Sequence, residues 1–117
     1  KIPFVKENLK MNKALKILTE KELGILIVLN RYNKTVGIVT DGQIRRFNEK
    51  KFDFRLLPVK KIMTKKPVFI DKDELAAKAL SIMNNKKITS IIVNRKKNPN
   101  KAIGVVHIHT ILKSNIY

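Results

Sequence analysis

The sequence contains no cysteine, so a disulfide framework and any thiolate metal centre are excluded. It also lacks a long apolar run. The longest, Ile25 to Leu29, falls far short of the roughly 20 residues a helix needs to cross a bilayer. No secretory signal is visible at the start. The first residue is Lys1 rather than methionine, and the chain reads as a fragment of something longer. Aromatic residues are scarce, at 6%. Acidic residues are scarce too: 9 against 26 lysines and arginines, for a net charge of +17.

Such a charge raises the question of a polyanionic partner. However, 21 of the 26 basic residues are lysine, whereas base and stacked phosphate contacts favour arginine. The lysines fall in scattered pairs rather than one stripe. Lys, Ile and Asn together dominate, as in chains coded by AT-rich genes. Nucleic acid is therefore not the expected partner, although general attraction to polyanions is.

At 117 residues the chain fits one small domain or two half-size repeats. The pattern along it favours the repeats. Ile2 to Val5 reads as a short strand. Asn8 is a candidate N-cap for a helix whose apolar face is Met11, Ala14, Leu15 and Leu18. Gly24 stands where a left-handed helix terminator is expected. Ile25 to Leu29 is a buried strand, Asn30 to Lys34 a turn and Thr35 to Val39 a further strand. Asp41 to about Lys50 is a helix. The unit is β-α-β-β-α. Lys51 to Leu57 connects, and Pro58 opens a helical turn through Met63.

The order then recurs. Pro67 to Ile70 matches Pro3 to Val5. Asp71 or Asp73 caps, with Glu74 completing a capping box. Leu75, Ala76, Ala79, Leu80 and Met83 make the apolar helix face, with Ala79-Leu80 lying 65 positions after Ala14-Leu15. Ser90 to Val93 is the buried strand and Arg95 to Asn100 a polar turn. Ala102 to Val106 is the last strand, with Gly104 lying 67 positions after Gly37, and His107 to about Ser114 is the last helix. The expected organisation is one repeat with its connector at 1–57 and a second at 58–117. Neither sheet is covered by its own unit, so the two should pack face to face around a shared cleft.

The stretch Val36 to Arg46 carries the chemistry. An apolar strand ends in Thr40-Asp41-Gly42 and turns directly into a helix. A helix start offers unpaired N–H groups and the positive end of the dipole to an anion. Thr40, Asp41, Gly42 and Gln43 line that start, followed by Arg45 and Arg46. Asp41 is also a natural N-cap. A worn copy, Ile103 to Leu112, puts His107, His109 and Thr110 in the matching place, and Thr89 precedes the neighbouring strand. Two histidines at i and i+2 without further ligands do not make a metal site. No nucleophile-base-acid set is visible, so this stretch of chain is not expected to be catalytic.

Two tandem β-α-β-β-α units ending in a Gly-hydrophobic-hydrophobic-Thr junction resemble a pair of CBS domains, a Bateman module, over essentially the whole chain. The resemblance implies an α/β (α+β) fold with the repeats related by a pseudo-twofold axis. It implies a cleft between them for adenosyl compounds or other phosphorylated effectors. Several segments together resemble the C-terminal CBS pair of the arabinose-5-phosphate isomerases of Kdo synthesis: Thr40 to Arg46, Pro58-Val59, Ile62-Met63-Thr64, Leu75 to Leu80, Lys87-Ile88-Thr89 and Gly104 to His109. In that branch a separate N-terminal SIS domain carries catalysis. At the two positions where the branch usually has a ribose-binding Asp, this sequence has Gln43 and Thr110, and His107 replaces the hydroxyl of Thr40. A neutral amide and a hydroxyl give up the charge-assisted bond.

The expected function is a regulatory module of a bacterial cytoplasmic isomerase. It would bind an anionic effector at Thr40, Asp41, Gly42, Gln43, Arg45, Arg46, Thr89, His107, His109 and Thr110, without metal or cofactor. The resemblance implies homodimers built through the CBS pairs. The pathway product CMP-Kdo is the specific candidate effector, and no membrane partner is expected. The alternative is a structural dimerisation module with no specific ligand.

Overall fold

The computed structural model describes residues 3–21 and 24–109. Two compact units divide after Lys66. The chain runs β1 (Phe4–Lys6), α1 (Met11–Lys21), β2 (Ile25–Leu29), β3 (Thr35–Thr40), α2 (Asp41–Glu49), a 3-10 turn (Val59–Lys61) and β4 (Thr64–Lys65). It continues with β5 (Phe69–Asp71), α3 (Ala76–Lys86), β6 (Ser90–Arg95) and β7 (Asn98–His107). The fold is mixed α/β, with two sheets and three helices among the described residues.

The first unit holds a sheet in the order β1-β2-β3-β4. β1 lies parallel to β2 because α1 crosses between them, whereas β2 and β3 form an antiparallel hairpin. Asn33 turns that hairpin with φ 62°, as a short polar side chain allows. The Asn30 carboxamide oxygen accepts from the Tyr32 and Lys34 N–H groups. Gly24 ends the α1–β2 connection with φ +71°, the left-handed conformation expected of it. Leu26 and Val28 of β2 join Val5, Met11, Ala14, Leu18, Val39, Phe54, Val59 and Ile62 in one buried cluster.

Asn8 does not cap α1, because the helix begins at Met11. The connector replaces a capping side chain. The Met11 N–H donates to the Leu57 carbonyl at 2.9 Å and the Asn12 N–H to that of Arg55 at 2.8 Å, so the orphan donors of the first turn are already satisfied.

The segment Pro58–Lys66, read above as the opening of the second repeat, packs within the first unit. Val59 is fully buried, its N–H donates to Leu9, and β4 pairs antiparallel with β3 at Gly37 and Ile38. Two residues of strand carry no periodicity, which is why β4 was not legible in the sequence.

The second unit holds β5-β6-β7, with β5 parallel and β7 antiparallel to β6. Ile70, Ala79, Met83 and Ile91 form its buried cluster. The proposed capping box does not form. α3 begins at Ala76 after Leu75, without a side-chain cap. The Asp71 carboxylate instead accepts from the Asp73 and Lys96 N–H groups at 3.1 and 2.9 Å. Leu75, assigned above to the apolar face, is 74% exposed as a consequence of preceding the helix. The polar turn is shorter than read: β7 already starts at Asn98, and the Asn94 amide, largely buried, holds it by donating to the Pro99 carbonyl. Most of the helix expected from His107 to Ser114 lies outside the described residues. No described helix is long and apolar enough to cross a membrane.

Candidate functional site at the junction of β3 and α2

The β2–β3 ladder ends at the pair Ile25 and Thr40, and α2 starts on the next residue. Thr40, not Asp41, is the N-cap: its φ/ψ is −121°/157° and its hydroxyl accepts from the Gln43 N–H at 3.3 Å. That leaves Asp41 as the first helical residue, with its side chain exposed. Its carboxylate lies against the Gly24 turn, where a Cβ would come within 2.9 Å of Oδ2. The negative charge favours the positive end of α2.

Arg46 departs from that pattern. A Cβ built on Gly42 would lie 3.5 Å from Arg46 Nη1, so the guanidinium folds back over the first turn. A cation at the positive end of a helix is electrostatically unfavourable. No ion pair to Arg45 or Arg46 forms among the described residues. Both arginines are exposed. Thr40, Asp41, Gly42 and Arg46 thus come together around one helix start, and Arg45 projects from the adjacent helical position.

Gln43 departs from its expected role. Its side chain is 9% exposed and Nε2 donates to the Ile62 carbonyl, while Oε1 is buried without a partner. The amide, expected above to meet a ligand, faces the interior of the first unit and fastens α2 to the segment before β4. Sequence reasoning missed Ile62 as its partner, because nothing local to either residue announces a bond across 19 positions.

In the second unit, Thr89, His107 and His109 form a separate set. Ser90 pairs with His107, and the Ile108 N–H donates to the Thr89 carbonyl at 2.8 Å. The imidazoles of His107 and His109 stack with centroids 5.0 Å apart. The His109 N–H donates to His107 Nδ1 at 3.1 Å, so Nδ1 is the unprotonated nitrogen. Thr110 lies outside the described residues. No group of three metal-ligating side chains occurs among the described residues.

Burial holds His107 below the ordinary histidine range, and the nearby His109 adds to the effect. The folded state therefore binds its proton less readily than the unfolded state. Stability associated with this group is present above about pH 6.5, the unfolded value. It declines as pH falls below that. Urea midpoints at pH 7.5 and 5.5 should drop toward the acid side, and His107→Gln should flatten the difference.

A cavity of about 320 Å³ opens elsewhere in the first unit, between Leu15, Ile44 and Asn48 on the helices and Lys51 to Arg55 of the connector. It includes none of the junction residues.

The β-α-β-β-α unit with its strand-to-helix junction is what a CBS domain consists of, and the CBS domain sequence model matches residues 1–50 and 59–116. The chain belongs to the CBS domain family. Among curated relatives it is similar to the uncharacterized protein RP505 of Rickettsia prowazekii, at 33% identity over 98% of this chain and 34% of the relative. It is 31% identical to the arabinose 5-phosphate isomerase KdsD of Escherichia coli over the same shares of each chain. The chain spans about a third of the length of these relatives. Among solved structures it resembles the CBS domain protein PAE2072 of Pyrobaculum aerophilum complexed with AMP. The TM-score is 0.83 at 19% identity, over 94% of this chain and 82% of that one. A CBS protein of Burkholderia ambifaria described as a putative signal-transduction protein gives 0.86 at 25% identity, over 99% and 83%.

Proposed function

We propose that this CBS pair is the regulatory C-terminal part of an arabinose 5-phosphate isomerase in the bacterial cytoplasm, and that it binds a nucleotide-type anion. The SIS domain that carries catalysis in such enzymes would lie in the remainder of the parent protein, and the pair would serve homodimerisation. The similarity to KdsD over 98% of the chain supports the parentage. PAE2072 is complexed with AMP, and the CBS pair of protein MJ0100, of similar fold, with 5-methylthioadenosine and S-adenosyl-L-methionine. These neighbours support the ligand class.

The observation that carries the site is Arg46 folded over Gly42 at the positive end of α2. The Asp41 and Gln43 N–H groups are taken by the Gly24 carbonyl and the Thr40 hydroxyl, so a phosphate placed there would meet the Gly42 N–H and the guanidinium together. Thr40 would set the cap, Asp41 would face ligand hydroxyls and Arg45 would add charge. Thr89, His107 and His109 would offer a second set of donors, joined by Thr110 if it follows the expected pattern of the first repeat. The sugar nucleotide CMP-Kdo is the specific effector proposed, its phosphate and carboxylate matching the basic residues.

A thermal-shift titration with CMP-Kdo, CMP, AMP, ATP and inorganic phosphate at physiological salt tests this. A ligand at a hundred times its dissociation constant stabilises by about 2.7 kcal/mol, a shift on the order of ten degrees in a protein of this size. A saturable shift with one ligand, abolished by Arg46→Gln, is the expected result. Thr40→Ala should weaken binding and also cost about 1 kcal/mol of stability through the lost cap. Gln43 supports a second reading. With its amide turned onto Ile62, Gln43 is withdrawn from any ligand at the junction, as a purely structural dimerisation module would allow. Small, equal, salt-sensitive shifts with every anion would establish that reading.

A further inference from the structure

We propose that the connector of the first unit is a membrane-adsorbing turn that places Leu56 in the interface of an anionic bilayer. Phe54 to Leu57 form a tight turn closed by the Leu57 N–H on the Phe54 carbonyl at 3.1 Å. Tips of such turns ordinarily carry Gly, Asn, Asp, Ser or Pro. This one carries Leu56, 73% exposed, with Phe52 nearby at 46%. The turn is held from both sides. The Arg55 and Leu57 carbonyls accept from the Asn12 and Met11 N–H groups of α1, while Phe54 is buried in the core. Leu56 is thus displayed by a fixed backbone.

Basic residues adjoin it along the backbone, with the acidic Glu7 and Asp53 among them. Lys10 bridges to Pro58, Lys60 hydrogen bonds through its N–H to Glu7, and Arg55, Lys60 and Lys61 flank the turn in sequence. All four are exposed, and of them only Arg55 is ion-paired among the described residues, with Asp53 at 3.5 Å. One protruding leucine offers far too little area for a stable protein interface of about 800 Å² per partner. A bilayer interface, in contrast, rewards a single apolar tip together with scattered lysines, each attracted by the surface potential of anionic lipids. Lysine suits this diffuse role, which needs no bidentate geometry. No helix among the described residues is long and apolar enough to cross a membrane, and adsorption of a turn requires none.

Co-sedimentation of the chain with vesicles of phosphatidylcholine, alone or with 30% phosphatidylglycerol, at physiological salt tests the proposal. Binding is expected only with phosphatidylglycerol present. Leu56→Ser, a surface change that leaves every charge in place, should weaken it about tenfold. Lys60→Gln with Lys61→Gln should weaken it by more than tenfold. Circular dichroism would verify that each variant is folded. If Leu56→Ser binds as the unsubstituted chain does, the attraction is charge alone and the proposal falls. It falls also if no vesicle is bound, and a dimer dissolved by Leu56→Ser would then make the turn a contact with a second copy.

Discussion

Replacing Gln43 with glutamate is expected to destabilise the first unit by about 3 kcal/mol at pH 7, the scale of a buried unpaired charge. The side chain is 9% exposed and faces the Ile62 carbonyl. An amide donates to that carbonyl, whereas a carboxylate opposes it with two acceptors and a charge removed from water. The variant escapes by keeping its proton, so its folded-state pKa rises above the ordinary glutamate value of about 4.3. Stability then falls as pH rises through that value, since the unfolded chain gives up its proton first. Below it the neutral acid donates as the amide does, and the variant should approach the parent. Urea unfolding of both proteins between pH 4 and 8 measures this. A variant as stable as the parent at pH 7 would show that the Gln43 side chain does not face the interior. Gln43→Leu separates the contributions: it removes the unpartnered Oε1 but orphans the Ile62 carbonyl. It should therefore cost less than glutamate, with no pH dependence.

Gln43 also marks where sequence reasoning stopped. The repeat, the apolar faces of α1 and α3 and the strand-to-helix junction were legible because each rests on periodicity or on local turn chemistry. Gly24 and the turn from Asn30 to Lys34 were legible because a left-handed or tight turn limits which residues fit. The errors fall where a long-range bond replaces a local one. Asn8 and the Asp71–Glu74 box are good caps by sequence, yet connector carbonyls receive the first α1 donors and Lys96 draws Asp71 away. At the junction, the sequence placed Thr40 and Asp41 at the helix start. It offered Asp41 as the cap, whereas Thr40 takes that place one residue earlier, since either side chain can accept from the first turn. Arg46 could be named but not oriented, because a long side chain on an exposed helix takes its direction from neighbours.

Gly37→Ala is the second large effect, about 2–3 kcal/mol, toward the upper end of what overpacking costs. The reason is close approach rather than backbone freedom. A Cβ on Gly37 would lie 2.6 Å from Met63 Sδ, 2.8 Å from its Cγ and 2.8 Å from the Thr64 carbonyl oxygen. Gly37 pairs with Lys65 across the β3–β4 ladder, so the methyl group would drive into the segment that Gln43 anchors at Ile62. The matching glycine of the second unit makes the control. A Cβ on Gly104 would meet only Val93 Cβ, at 3.8 Å, an ordinary contact, and Gly104→Ala should be close to neutral. Met63 is a flexible side chain and can retreat, but the Thr64 carbonyl is backbone and cannot move without breaking the ladder. A double-mutant cycle divides the two. Met63→Ala in the Gly37→Ala background should restore part of the loss measured by chemical denaturation, and the unrecovered part is the backbone clash. Full recovery would mean that β4 carries no fixed register. Because Gly37 lies three residues before Thr40 on the same strand, a displaced β4 should also disturb the junction. Gly37→Ala should then weaken any anion binding at Arg46, while Gly104→Ala leaves it unchanged.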